Sequence, residues 1–298
     1  MADAARLLVF GLGYSARAIV AALRPRLAAV AGTVRSADKA ARLTEAGTDA
    51  FVFDGGAPSG EARRALQTAT DVLVSIPPGE GEDPVLKHHR ADLAAAPELR
   101  RISYLSTVGV YGDYGGAWVD ERTIPHPAHQ RAIARRRAEK DWLALAAEKK
   151  IACGLFRIAG IYGPGRNPLV NLIEGKAHRV DRPGQVFNRI HVEDIASAVA
   201  AWFARPSTGI FNLADDEPAD PAEVVAYAAS LLGVAPPPLV PIEDADLSPM
   251  ARSFYDGNRR VMNRRIKEEL GVALRYPTYR DGLSAMWRDG TWRGEAKG

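Results

Sequence analysis

A doubly wound parallel α/β sheet followed by a smaller C-terminal lobe is the fold class that three features of the sequence predict. Short apolar runs alternate with helix-period segments through the first two-thirds of the chain. The alternation is strictly βαβα, which means parallel neighbours joined by crossover helices. A glycine turn, Gly11-Leu12-Gly13, links the first run to the first helix. The length, 298 residues with 47% hydrophobic and 25% charged side chains, supports a sizeable core and excludes a disordered chain.

Leu7–Phe10 is the first strand, and Ser15–Leu23 then reads as a helix. Ala28–Val34 is the second strand. Ala37–Ala46 follows as a helix that Ser36 is placed to cap and Gly47 to end. Ala50–Phe53 is a third strand closed by Asp54-Gly55-Gly56, after which Ser59 stands at the cap of a helix over Glu61–Thr68. Asp71–Ile76 is the fourth strand, stopped by Pro77-Pro78. A helix near Val85–Ala95 leads to the fifth strand, Ile102–Ser106, and a long helix over Gln130–Lys149 leads to the sixth, Ala152–Ile158.

Beyond Gly163 the pattern loosens. Val192–Ala204 reads as a helix and Ile210–Leu213 as a short strand. Ala235–Pro241 is a proline-rich linker or rigid loop, and the remainder, including Ser253–Leu270, reads as helical and basic. The expected division is a sheet domain over 1–163, to which 186–232 returns, and a lobe from 164–185 and 233–298. That lobe closes over the carboxyl edge of the sheet, where such sheets bind ligands.

Charge is nearly balanced, +3 from 39 basic and 36 acidic residues. The one basic cluster, Arg135-Arg136-Arg137, lies beside Glu139 and Asp141 in a helical pattern and reads as a solvated face, so no nucleic-acid partner is expected. A single cysteine, Cys153, excludes an intramolecular disulfide framework and a Cys-rich zinc or iron–sulfur site, and no metal is expected. The start, MADAARLLVFGLG, lacks the features of a secretory signal, and apolar runs such as Ile195–Ala204 are about half of a spanning helix. The expectation is a cytoplasmic protein without a membrane partner.

Gly11-Leu12-Gly13-Tyr14-Ser15-Ala16 is a G-x-G-x-x-A string between the first strand and helix. Gly11 permits the tight turn, Gly13 leaves room for a pyrophosphate, and Ala16 lets the helix pack against the sheet. The phosphates would sit on the free N–H groups of that helix, those of Tyr14 and Ser15 among them. The end of the second strand selects the dinucleotide. An acid there favours NAD, whereas this chain has Arg35-Ser36 and no acid until Asp38. A guanidinium and a hydroxyl suit a 2′-phosphate, and Arg17 adds a second cation, so NADP(H) is expected over NAD(H). Asp54 is placed either for the adenine edge or to stabilise its own turn. Ser75, Ile76 and Pro77 should line the path to the nicotinamide ribose.

Several strings fall in one order: GLGYSA, STVGVYGD at 106–113, LFRIAGIYGPGR at 155–166, RIHVEDIASAV at 189–199 and FNLADDEP at 211–218. This order resembles the NAD-dependent epimerase/dehydratase branch of the short-chain dehydrogenase/reductases, over nearly the whole chain. It is most similar to the atypical YeeZ-like group, which shares an ending like RSFYDGNRRVMNRRIKEELG. The resemblance implies a Rossmann domain, a nicotinamide dinucleotide and a C-terminal lobe for a small-molecule substrate. It leaves open a homodimer through two helices, the long one included.

By the same resemblance Thr107, with Ser106 beside it, matches the Ser or Thr that hydrogen-bonds the reacting oxygen; a strand-end hydroxyl capping backbone is the alternative. The family's acid/base is a Tyr in a Tyr-x-x-x-Lys pair, whose Lys lowers the Tyr pKa and holds the nicotinamide ribose. Aligned on Glu139, that pair is replaced by Arg131 and Arg135. Arginine keeps the positive field but gives up no proton near pH 7. The proton must then come from Tyr111, Tyr114, His129 or a water held by Thr107. Tyr111 equally reads as a pocket wall, and His126 and His129 as surface residues.

Gly163-Pro164-Gly165-Arg166 resembles the loop that opens the substrate lobe. Arg166 and Arg189 either grip an anionic substrate or pair with Glu193 or Asp194. Val186-Phe187-Asn188 stand where sugar-nucleotide enzymes of the family carry an arginine, which argues against such a substrate. Arg157 reads as structural, and His191–Asp194 as a helix start. Three functions follow: an NADP(H)-dependent oxidoreductase acting on a carbonyl or alcohol, a dinucleotide-binding sensor that has lost turnover, and an NAD-dependent epimerase.

Overall fold

The structure, a computed structural model, describes residues 5–79 and 81–294. Strands β1 (Ala5–Phe10), β2 (Leu27–Val34), β3 (Asp49–Val52), β4 (Asp71–Val74) and β5 (Arg101–Thr107) alternate with helices α1 (Tyr14–Leu23), α2 (Ala37–Glu45), α3 (Gly60–Leu66) and α4 (Pro84–Ala95). A two-residue strand, β6 (Trp118–Val119), precedes α5 (Gln130–Lys149) and β7 (Ala152–Ile158). Then come β8 (Gly160–Tyr162), α6 (Pro168–Ile173), β9 (Arg179–Asp181), β10 (Arg189–His191), α7 (Val192–Ala204) and β11 (Gly209–Leu213). The chain closes with α8 (Pro221–Leu232), β12 (Leu239–Pro241), α9 (Pro249–Arg252), β13 (Arg260–Val261), α10 (Arg264–Glu268) and α11 (Tyr279–Arg288).

Seven strands form one parallel sheet in the order β11-β7-β5-β4-β1-β2-β3. The order reverses between β1 and β4, so a crevice opens beyond their carboxyl ends. The strands read as continuous apolar runs because both faces are covered. Leu7 and Val9 of β1 pack into one core with α1 and α7, while Leu8 and Phe10 pack into the other with Leu93 and Trp142. Fully burying a side chain such as Leu8 contributes about 2 kcal/mol.

A third cluster joins Tyr162, Leu169, Val224, Tyr279, Leu283 and Trp292, and so holds α6, α8 and α11 together. Asp220 caps α8, whose first residue is Pro221, and Gly233 ends it at φ +70°. Among the described residues no helix is long and apolar enough to cross a membrane.

Three expectations change. The proline-rich stretch Ala235–Pro241 ends in a strand, β12, because Leu239–Pro241 pair with Arg179–Asp181 of β9. Ser36 makes no capping bond to α2, whereas Ser59 does accept from the Ala62 N–H. The stretch Ser253–Leu270 is not one helix: a 3-10 turn at Ser253–Tyr255 and α10 flank the strand β13. The reason is pairing with a distant segment. Asn258 O accepts the N–H groups of Tyr114 and Gly116, and the Arg260 and Met262 amides donate to Ala117 and Val119. A Cβ at Gly257 would lie 3.2 Å from Gly112 O, so a side chain there would crowd this crossing.

Candidate active site

The turn after β1 is held open at the sheet's crevice. Gly11 sits at φ +95°, and a Cβ there would lie 2.9 Å from Ile76 Cγ1. A Cβ at Gly13 would meet nothing nearer than Ser75 Oγ at 4.0 Å, so the space before it is empty. The Gly11 N–H donates to Thr33 Oγ1 at 2.9 Å and the Leu12 N–H to Thr33 O at 2.8 Å. The first intrahelical bond of α1 runs from the Arg17 N–H to Gly13 O at 3.0 Å, so the amides of Tyr14, Ser15 and Ala16 precede it. No side chain caps this terminus and no acid occupies its first turn. Such an end attracts an anion.

A cleft of about 970 Å³ runs from this turn along the ends of β1, β2, β3 and β4. It is lined by Gly11, Gly13, Arg35, Asp54, Ser75, Ile76 and Pro77. Asp54 also accepts the Gly56 N–H at 2.8 Å, so it stabilises its turn as well as facing the cleft. Arg35 and Ser36 are exposed, and Ser36 is not part of the lining. The sequence reading missed Lys39, which lines the cleft from the first turn of α2 and donates to Leu12 O at 3.3 Å. Burial and then the positive charges of Arg17, Arg35 and Arg42 lower its pKa. Arg35 and Lys39 both line the cleft, and the charges of Arg17 and Arg42 reach it through Lys39's surroundings.

Tyr14 plays a part its backbone role did not suggest. Its hydroxyl donates to Pro164 O at 3.0 Å, and the Arg166 guanidinium lies 6.0 Å over its ring. This ties the turn after β1 to the loop Gly163–Arg166. Burial pushes the Tyr14 phenol up to about 12.

Ser75 lines a second cavity, of about 630 Å³, which therefore adjoins the first. Ser15, Ser106, Thr107, Arg135, Arg166 and Arg189 line it too. Thr107 Oγ1 accepts the Gly109 N–H at 3.1 Å, which leaves its own proton free to donate into the cavity. The neighbouring Ser106 hydroxyl is buried and donates to Glu139 at 2.6 Å. Arg135 donates to Leu105 O at 2.7 Å, and its guanidinium lies 5.6 Å over the Tyr104 ring. The preceding position on that helix face, Arg131, is exposed and reaches Ser253 Oγ at 3.1 Å.

Tyr111 lies elsewhere. It is fully buried outside this lining, its hydroxyl donates to Asn212 Oδ1 at 2.8 Å, and burial pushes it up to about 12. Tyr114 bonds the Ile124 carbonyl, and His129 faces Asp256 at 3.4 Å; neither lines the cavity. Arg157 is buried against the Glu139 carboxylate, with Nη2 to Oε2 at 2.8 Å.

The acids once open as partners of Arg166 and Arg189 are engaged elsewhere. Glu193 pairs with Arg275 at 2.8 Å, and Asp194 accepts the Arg275 and Tyr276 amides. Arg189 instead donates to Phe187 O at 3.0 Å and Ala219 O at 3.3 Å.

His191 caps α7 by accepting the Glu193 N–H at Nδ1, 3.2 Å. It has no exposed surface, and burial followed by the Arg275 charge pushes it down to about 4. The unfolded chain protonates this imidazole near pH 6.5, so its contribution to stability is whole above that pH and is lost as pH falls toward 4. Between pH 7 and pH 5 the loss is about 2 kcal/mol. In urea unfolding, His191→Asn should lose less stability than wild type over that interval by this amount. Parallel pH profiles would reject the assignment.

No protein-family model matches the chain. Protein YeeZ of Escherichia coli K12 is 30% identical over 222 residues, covering 72% of this chain and 74% of that protein. A conserved protein of unknown function from Silicibacter pomeroyi superposes with a TM-score of 0.87 at 47% identity, over 96% of this chain and 99% of that one. The UDP-glucose 4-epimerase of Thermus thermophilus, solved as a complex with NAD, shares the fold with a TM-score of 0.74 and 20% identity, over 98% and 100% of the two chains.

Proposed function

Because the chain belongs to the NAD-dependent epimerase/dehydratase family, in the YeeZ-like group of atypical short-chain dehydrogenase/reductases, we propose that it binds a nicotinamide dinucleotide, NADP(H) in preference to NAD(H). It moves hydride between that cofactor and a small carbonyl or alcohol substrate. The observation that carries this reading is the cleft itself. Open helix amides and the cations of Arg35 and Lys39 stand beside it, and at Ser75 it adjoins a cavity lined by Thr107.

Gly11, Gly13 and the amides of Tyr14, Ser15 and Ala16 hold the pyrophosphate. Ser75, Ile76 and Pro77 form the rigid rim beside it, and Asp54 faces the adenosine. The nicotinamide, when bound, supplies the hydride chemistry. Thr107 donates its free proton in a hydrogen bond to the reacting oxygen, and Arg135 provides the positive field of the family's lysine. In the reducing direction a water held by Thr107 delivers the proton and regains one from solvent, and in the oxidising direction the proton leaves by the same route. In support, Tyr111, Tyr114 and His129 all lie outside the cavity lining.

The replacement of the family's tyrosine by an exposed Arg131 favours a second reading, a dinucleotide sensor without turnover. Calorimetry with NADPH, NADH and their oxidised forms, followed by NADPH absorbance with aldehydes, ketones and quinones, separates the two. Binding with NADPH consumption is the expected result. Binding without consumption across the panel would select the sensor, and no heat with any coenzyme would overturn both.

A further inference from the structure

The second cavity, which Thr107 lines, is also walled by apolar side chains, among them Val186, Phe187, Val224 and Leu283. Its charged lining is all of one sign. Arg135, Arg166, Arg189 and Arg259 face it, and among the described residues no Asp or Glu does. Two of its polar groups are buried without a partner: Nε of Arg259 and the hydroxyl of Tyr279. Buried donors are ordinarily paired, because desolvation without a bond is costly.

Each group is nonetheless fixed in place. Arg259 Nη1 donates to Gly112 O at 2.8 Å. The Tyr279 ring lies under the guanidinium groups of Arg280 at 4.7 Å and Arg189 at 5.9 Å. The nearby carboxyls stand outside the lining. Asp215, whose amide donates to Arg189 O at 2.7 Å, faces Arg189 electrostatically, and burial pushes its carboxyl up to about 8. Asp113, which faces Arg259 electrostatically, is outside the lining and accepts the Asn258 and Gly115 amides.

We propose that Arg189, Arg259 and Tyr279 form an oxyanion subsite that takes a carboxylate or phosphate on the substrate, whose apolar body lies against Phe187, Val224 and Leu283. The inference rests on the reading of this cavity as the substrate chamber, and it names the substrate class as organic anions with an apolar part. The Tyr279 hydroxyl and the Arg259 Nε then gain the acceptor that the protein does not provide.

Calorimetric titration of benzoate, phenyl phosphate and uncharged benzyl alcohol into the full chain, with and without NADPH, tests this. At least one of the two anions should bind more tightly than benzyl alcohol by about tenfold, the effect of a charge-assisted hydrogen bond. Which anion binds more tightly identifies the group as carboxylate or phosphate. Arg259→Met should lose about tenfold in anion affinity, and Arg259→Lys less. Tyr279→Phe should weaken anion binding several-fold, by about the worth of one hydrogen bond, without lowering Tm, because its hydroxyl has no partner to lose. NADPH affinity, measured separately, should be unchanged in Tyr279→Phe. Anions that bind no better than benzyl alcohol, or a Tyr279→Phe variant with full anion affinity, would overturn the subsite. A failure of NADPH to bind beside intact anion binding would instead strike the cofactor reading alone.

Discussion

Glu139→Ala should lower stability by about 4 kcal/mol, which for a chain of this size is a fall in Tm on the order of 10 °C. Glu139 has no exposed surface, and its carboxylate accepts four hydrogen bonds. These come from Ser106 Oγ at 2.6 Å, Arg136 Nη1 at 2.9 Å, and Arg157 Nε and Nη2 at 3.0 and 2.8 Å. Arg157 is itself 1% exposed and also lies over the Tyr111 ring at 4.8 Å. Removing the carboxylate strands a buried guanidinium, which costs far more than the pair contributes over an apolar replacement. The exposed pair Arg90–Glu148, at 2.6 Å, is the internal control. Glu148→Ala should change stability by less than about 1 kcal/mol. Thermal unfolding of both variants decides the matter: equal, small shifts would show that Glu139 does not carry the load assigned to it. The effect reaches the active site, because Ser106 adjoins Thr107 at the end of β5 and Arg135 bonds the Leu105 carbonyl one turn earlier on α5.

The sheet was legible because its strands are buried on both faces and its helices carry local signals. The bounds expected for Gln130–Lys149, Ala152–Ile158 and Val192–Ala204 coincide with α5, β7 and α7. The stretch 253–270 was not legible. Its basic residues look helical, and the partner that makes β13 a strand is Trp118–Val119, far away in sequence. Tyr111 misled for the same reason. Its VYG string looks like pocket wall, but the 3-10 turn after β5 brings the hydroxyl to Asn212 on β11. Arg259 and Tyr279 carry no local mark of function, since what sets them apart is a cavity assembled from segments far apart in sequence. Lys39 did leave a signal. It stands in the first turn of the helix expected directly after Arg35-Ser36, at the same end of the second strand, and that placement was open to reading.

Reversing the two cation sites at that turn, Arg35→Asp with Lys39→Glu, should weaken NADPH binding by about 100-fold or more while changing NADH binding by no more than about threefold. The two coenzymes differ by one phosphate on the adenosine ribose, so only interactions with that group separate them. Arg35 is exposed at the end of β2, Lys39 lines the same cleft, and the only acid in the first turn of α2 is Asp38. A dianionic phosphate placed there meets two direct cations, with Arg17 and Arg42 adding a longer-range field. The Lys39 ammonium also donates to Leu12 O, so its reversal removes one bond to the turn after β1, a loss common to both coenzymes that the threefold bound on NADH includes. Lys39→Met separates the effects: it removes the charge without adding repulsion, and should weaken NADPH by about tenfold. Salt provides an independent readout. These groups are largely solvent-facing, so raising ionic strength from about 0.1 M to 1 M should erode NADPH affinity much more than NADH affinity. Equal losses for the two coenzymes, in the variants or in salt, would mean that these cations serve the turn and not the extra phosphate.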